Sequence, residues 1–262
     1  MKYHSLRSAF SLVELSIVLV ILGLLVGGVL SGQSLIRAAE LRAVSTEYSR
    51  WVTATQTFRD KYFALPGDMT NATNFWTAAH ATPATCLTTV GTGTQTCNGD
   101  GDGSLDWGTT GNERSEWYMF WQHLANAGLI EGSYSGQSGA GDYDDTSAAN
   151  APKSKLNNSL WFVANDATSG GAMFPAAVAR HNFRIGGLNP GHWPAGLILK
   201  PEELWNIDTK LDDGKPGLGV ITSYLGAYVG APNCTTTAVA STSLYNLSHG
   251  SNACGGFFGT GF

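Results

Sequence analysis

Hydrophobic and polar positions divide this chain of 262 residues into two unequal regimes. Residues 10–30 form an apolar run in which Glu14 is the sole ionisable side chain, and the run is long enough to cross a bilayer as a helix. Fifteen of its residues are Leu, Ile, Val or Phe, each favouring insertion by about 0.3–0.6 kcal/mol near the membrane centre. Glu14 lies near one end, so it opposes insertion by less than the roughly 3 kcal/mol of a mid-membrane charge, and insertion wins. Apolar side chains then recur at Leu35, Ala39, Val44, Tyr48, Trp51, Thr55, Phe58 and Tyr62. Steps of three to five residues are amphipathic helical spacing, and Pro66-Gly67 closes the pattern. One helix of about 55 residues is predicted, apolar all round in its first half and striped in its second.

From residue 64 onward the pattern shortens and mixes. A second helix is predicted over residues 113–129, where Thr110 and Glu113 form a capping box. Trp117, Phe120, Trp121, Leu124 and Leu129 give it an apolar face, and Gly128 fits a C-terminal cap. Short β-rich runs at 159–163, 195–199 and 219–224, with turn signals between them, predict an antiparallel sheet packed on the long helix. The expected fold class is therefore α+β. The aromatic residues read as core rather than as a sugar-binding platform.

Composition narrows the setting. Hydrophobic residues make up 43% of the chain, enough to bury a core, while 13% is charged and Gly is plentiful. That balance belongs to a loop-rich exported protein rather than a cytosolic enzyme. The net charge is −5 with no Lys/Arg cluster beyond the first few residues, which disfavours nucleic-acid binding. The four cysteines fall in two separated pairs without CxxC spacing. In an oxidising compartment the simplest of three connectivities joins Cys86 to Cys97 and Cys234 to Cys254. Each bridge then contributes roughly 3 kcal/mol on the chain-entropy account.

The first residues set direction and processing. Lys2 and Arg7 place the N-terminus in the cytoplasm and everything after Leu30 outside. A secretory signal has its small-residue cleavage site after the apolar stretch, whereas here Ser8 and Ala9 precede it. The stretch Ala9, Phe10, Ser11, Leu12, Val13, Glu14 resembles the signal of type IV prepilins and type II secretion pseudopilins. These carry a short basic leader, a small residue, Phe, an apolar run, and Glu four residues after the Phe. The resemblance implies a leader over residues 1–9, cleaved by a prepilin peptidase between Ala9 and Phe10, with N-methylation of Phe10. It also implies a membrane and filament-core helix over 10–32, an amphipathic continuation over 33–63 and an exported pilin domain over 64–262. Most members carry Gly where this chain has Ala9. Many also carry a mid-helix Pro, where this chain has Gly23, Gly27, Gly28 and Gly32; each glycine weakens a helix by about 1 kcal/mol. The Cys234–Cys254 pairing is similar to the disulfide-bounded loop of many type IV pilins.

Buried among packed helices, the Glu14 carboxylate needs a partner. The nearest cation is the free amine of a neighbouring subunit's Phe10, and their pairing would set axial register. The alternative role is a carboxylate reaching to the cytoplasmic interface.

Candidate chemistry is confined to acidic turns. Asn98, Asp100, Asp102 and Asp106 place oxygen donors at every second residue around Gly103, resembling the start of a calcium loop. Its twelfth position is Thr109 rather than a bidentate Glu, and Glu113 or Glu116 would have to replace it. A second turn, Asp212 and Asp213, is similar to the acidic calcium loop of major pseudopilins. No GxSxG, HExxH or P-loop is present, and His192 reads as a loop residue. The expected function is thus a non-enzymatic pilus subunit, inner-membrane as precursor and then periplasmic or extracellular. Its partners would be other pilins, the assembly machinery and membrane lipid, with calcium as the candidate ion. A pseudopilin of type II secretion or DNA uptake is the alternative. A membrane-anchored periplasmic enzyme or adhesin is the third reading.

Overall fold

The computed structural model describes residues 11–89, 91, 93–156, 158–165, 181–223 and 233–261. The chain has two compact units, Met1–Glu40 and Leu41–Phe262. Helix α1 spans Leu12–Tyr62, so it contributes to both.

In the first unit α1 begins with a reciprocal cap. The Ser11 backbone N–H donates to Glu14 Oε2 at 2.8 Å, and the Glu14 N–H donates to Ser11 Oγ at 3.2 Å. Ser-x-x-Glu in this geometry is a capping box. The most apolar 18 residues of α1 have a mean hydropathy of 2.6, and none of them is buried within the protein. A segment this long and apolar suits a membrane anchor or a signal sequence. The helix stays continuous through Gly23, Gly27, Gly28 and Gly32, and apart from the helix's own neighbouring backbone no described atom lies within 4 Å of a Cβ built on any of them.

In the second unit α1 is a core element. Val44, Trp51, Ala54, Thr55 and Phe58 are buried, flanked by Leu41, Tyr48 and Val52. Leu35 and Ala39, expected in the same stripe, are exposed and belong to the first unit. The buried stripe therefore begins at Leu41, the first residue of the second unit. The helix ends at Tyr62, and Phe63 adopts φ 52°, with its N–H donating to the Arg59 carbonyl. Gly67, with φ 91°, completes the exit; a Cβ there would sit 2.4 Å from the Glu116 carbonyl oxygen.

Four antiparallel strands form one sheet in the order β1-β2-β4-β3, with β1 Ser159–Asn165, β2 His181–Gly187, β3 Ile221–Ser223 and β4 Gly256–Gly259. The register aligns Val163, Phe183, Phe258 and Ile221 in one row. That face meets α1: the Tyr48 ring lies 5.2 Å from Phe258 and 6.4 Å from Phe183, and its hydroxyl donates to the Gly259 carbonyl at 2.7 Å. The opposite face carries Phe162, Arg184 and Phe257. There the Arg184 guanidinium lies 5.8 Å from the Phe162 ring, 5.0 Å from Trp193 and 4.9 Å from Phe257. Such cation–π stacking lets a charged residue occupy a strand buried on both faces.

The expected strand at 159–163 is present and runs on to Asn165. The expected strand at 219–224 is shorter: Gly219 has φ 76°, the ladder starts at Ile221, and Tyr224 lies outside the described residues. The expected strand at 195–199 is absent. It is a loop with two isolated bridges, Gly187 to Gly196 and Leu199 to Cys254. The Ile198 and Leu199 N–H groups both donate to the Cys254 carbonyl, which bunches the pairing at one residue instead of extending a ladder.

Helices α2 (Pro83–Cys86), α3 (Glu116–Asn126) and α4 (Pro201–Leu211) complete the described set with two short 3₁₀ turns. Helix α3 starts three residues later than expected because Glu113 is engaged upstream. Its carboxylate accepts from the N–H groups of Thr109 at 2.6 Å and Thr110 at 3.1 Å, closing a turn, and Ser115 becomes the N-cap. At the other end Gly128 has φ 71°, with Leu129 N–H on the Leu124 carbonyl and Gly128 N–H on the Ala125 carbonyl. That is a Schellman cap at the expected glycine. The helix is buried all round rather than on one face. Its polar side holds loop carbonyls: Gln122 Nε2 donates to those of Gln95 and Ser135, each at 3.1 Å.

Disulfides join Cys86 to Cys97 and Cys234 to Cys254, with Cα separations of 5.9 and 5.1 Å. These are the two sequence-neighbour pairs.

Candidate functional site

Three features carry the residues singled out from sequence: the start of α1, an acidic junction where three segments meet, and the turn after α4. Of the first, Glu14 is described, and its carboxylate closes the local cap on Ser11. Ala9 and Phe10, the expected processing positions, lie outside the described residues.

The junction is built from the exit of α1 (residues 66–70), the loop 97–106 and the start of α3. Gly99 lets the first two touch: its N–H donates to the Met69 carbonyl at 2.9 Å, and a Cβ on it would lie 2.5 Å from Asp68 backbone atoms. His123 fixes the same corner from below. Its Nδ1 accepts the Gly67 N–H at 3.0 Å, so Nε2 carries the proton and donates to Thr96 Oγ1 at 2.9 Å. Complete burial pushes this imidazole down to about 3, which keeps it neutral. Cys97, beside Thr96, anchors the loop through its bridge to Cys86.

Within the loop, successive carboxylates fold the backbone around themselves. Asp100 Oδ1 accepts from Asp102 N–H at 3.1 Å, and Asp102 Oδ1 accepts from Ser104 N–H at 2.7 Å. Gly103 takes φ 81°, the sharp turn expected there, and Gly101 also takes a positive φ, 80°. The structure brings Asp100, Asp102 and Asp106 together, with one oxygen from each within 4.8 Å of the others. Asp100 also groups in this way with Asp68 and Glu116. Glu116 accepts N–H bonds from Asp100 at 3.0 Å and Asp106 at 2.9 Å, while Asp68 accepts from Gly101 at 2.6 Å and Gly103 at 3.0 Å. Of the two glutamates considered as the closing ligand, Glu116 joins the cluster and Glu113 does not. Asn98 also faces elsewhere, its Oδ1 accepting the Thr73 N–H at 2.9 Å.

Asp68 and Glu116 are buried, and this dominates their acidity. Burial pushes the Asp68 carboxyl up to about 6 and the Glu116 carboxyl up to about 8, against the opposing pull of their backbone N–H donors; nearby Asp100 raises both further. The two acidic triads that share Asp100 group hard oxygen donors of the kind a divalent cation takes. Asp68 was missed in sequence because it lies in another segment, 32 positions before Asp100. Its one local signal is its place immediately after the Pro66-Gly67 turn.

The second acidic turn also gains a partner that spacing does not reveal. Asp212 and Asp213 group with Asp208 on α4, within the same 4.8 Å limit. Much of their capacity is used locally. Asp212 Oδ2 accepts from the Val220 and Ile221 N–H groups, Asp213 Oδ1 from Lys215 N–H at 2.8 Å, and Asp208 Oδ2 from the Tyr245 hydroxyl at 2.7 Å. Burial raises Asp208 to about 6. His192, read as a loop residue, has Nδ1 3.4 Å from Asp144 Oδ1.

Compared with known proteins, the chain matches no family model, no curated protein and no solved structure.

Proposed function

We propose that this chain is a structural subunit of a type IV pilus-like filament, held in the membrane as a precursor and assembled through its N-terminal helix. The observation that carries the reading is α1 itself. One unbroken helix has a first part that is apolar and wholly exposed, with an acid at its start, and a second part that is core to the exported domain. An anchor for an enzyme or adhesin needs neither the intramembrane acid nor a small residue placed before the apolar run.

In this reading the apolar half moves from lipid into a bundle of like helices when the filament grows. Bundling removes water and lipid headgroups from around Glu14, and a neighbour's Phe10 amine, freed by cleavage after Ala9, supplies the counter-charge. A pseudopilin of a secretion or DNA-uptake machine would use the same helix in the same way. Filaments sheared from the cell surface and analysed by mass spectrometry are expected to contain this chain. Recovery of the chain solely as an unassembled membrane protein would favour the anchored enzyme or adhesin.

A second reading rests on the acidic junction: Asp100, Asp102 and Asp106, with Asp68 and Glu116, hold one calcium ion that closes loop 97–106 onto α3. Two acidic triads that share Asp100, one within the loop and one with Asp68 and Glu116, favour it. Sites on extracellular modules bind at about 10⁻⁴–10⁻³ M. A cation present at about 10 times the dissociation constant and bound to the folded form alone stabilises it by about 1.4 kcal/mol. For a domain of this size that is a rise in melting temperature of roughly 3–6 °C. The expected result is such a rise for the soluble fragment from Gln33 onward in millimolar calcium over chelator, lost in Asp100→Ala/Asp102→Ala. An equal rise in that variant, or none in the parent, would leave an ordinary Gly/Asp turn.

A further inference from the structure

We draw no further inference here: the strongest candidate, the Asp142, Asp144 and His192 cluster in the loops flanking the sheet, groups ligand atoms within 4.8 Å but has no second feature that points to a ligand.

Discussion

Glu47→Ala in the soluble fragment is expected to lower stability by about 3 kcal/mol and the melting temperature by roughly 6–12 °C. This one carboxylate fastens α1 to the edge of the sheet. Its Oε2 accepts from Trp161 Nε1 at 2.7 Å and Ser154 Oγ at 2.6 Å, and its Oε1 accepts the Lys155 N–H at 2.8 Å. Trp161 is fully buried on β1, so truncation takes away the acceptor of its indole N–H. An orphaned buried donor loses about 1–3 kcal/mol by itself, and hydrogen bonds to a charged acceptor are the stronger kind. Glu47→Gln keeps one acceptor oxygen and should lose less. A melting temperature within a degree or two of the parent for the alanine variant would mean that packing alone holds the helix to the sheet.

The largest functional effect is expected at Glu14, where the structure suggests a sharper substitution than alanine. Glu14 caps its own helix through Ser11, so Glu14→Ala removes both the cap and the charge. Gln serves as well as Glu at the third helical position of a capping box. Glu14→Gln therefore retains the local cap and removes only the negative charge. Membrane insertion should be undiminished, because a neutral residue enters hydrocarbon more readily than an ionised one. If pairing with a neighbouring Phe10 amine sets register, the Gln variant should sit in the membrane at normal abundance and yield few or no filaments. Normal filament yield from Glu14→Gln would restrict Glu14 to capping.

How much of this was legible in sequence depended on whether the relevant partner was near in the chain. Helix α1 was read almost to its ends, because 3.6-residue periodicity and the Pro66-Gly67 stop are both local signals. Gly128 was likewise readable, since a Schellman cap needs only its own helix. The start of α3 lies later than the Thr110 and Glu113 pattern predicts because Glu113 serves the turn at Thr109 and Thr110 and the helix begins only after Ser115. Strand β2 escaped notice because His181, Asn182 and Arg184 look too polar for a buried strand. Arg184 is buried because Phe162, Trp193 and Phe257 stack around its guanidinium, a tertiary fact with no local trace. Helix α4 has local signals in Pro201 at its first turn, Glu203 and the apolar Leu204, Ile207 and Leu211, and in the structure Glu203 accepts the Lys200 N–H at 2.9 Å. At the acidic junction the alternating aspartates were visible, whereas Asp68 needed the fold to deliver it.

The central claim is that α1 is a processed, filament-building helix and not a permanent anchor or a discarded signal, and the intact mass of the mature chain tests it most directly. Cleavage on the cytoplasmic side before the apolar run leaves a chain beginning at Phe10, heavier by one methyl group on its amine. The account predicts that mass, confirmed by an N-terminal peptide that starts with N-methylated Phe10. A mature chain that begins at Met1, or one that begins after Gly32, would contradict it.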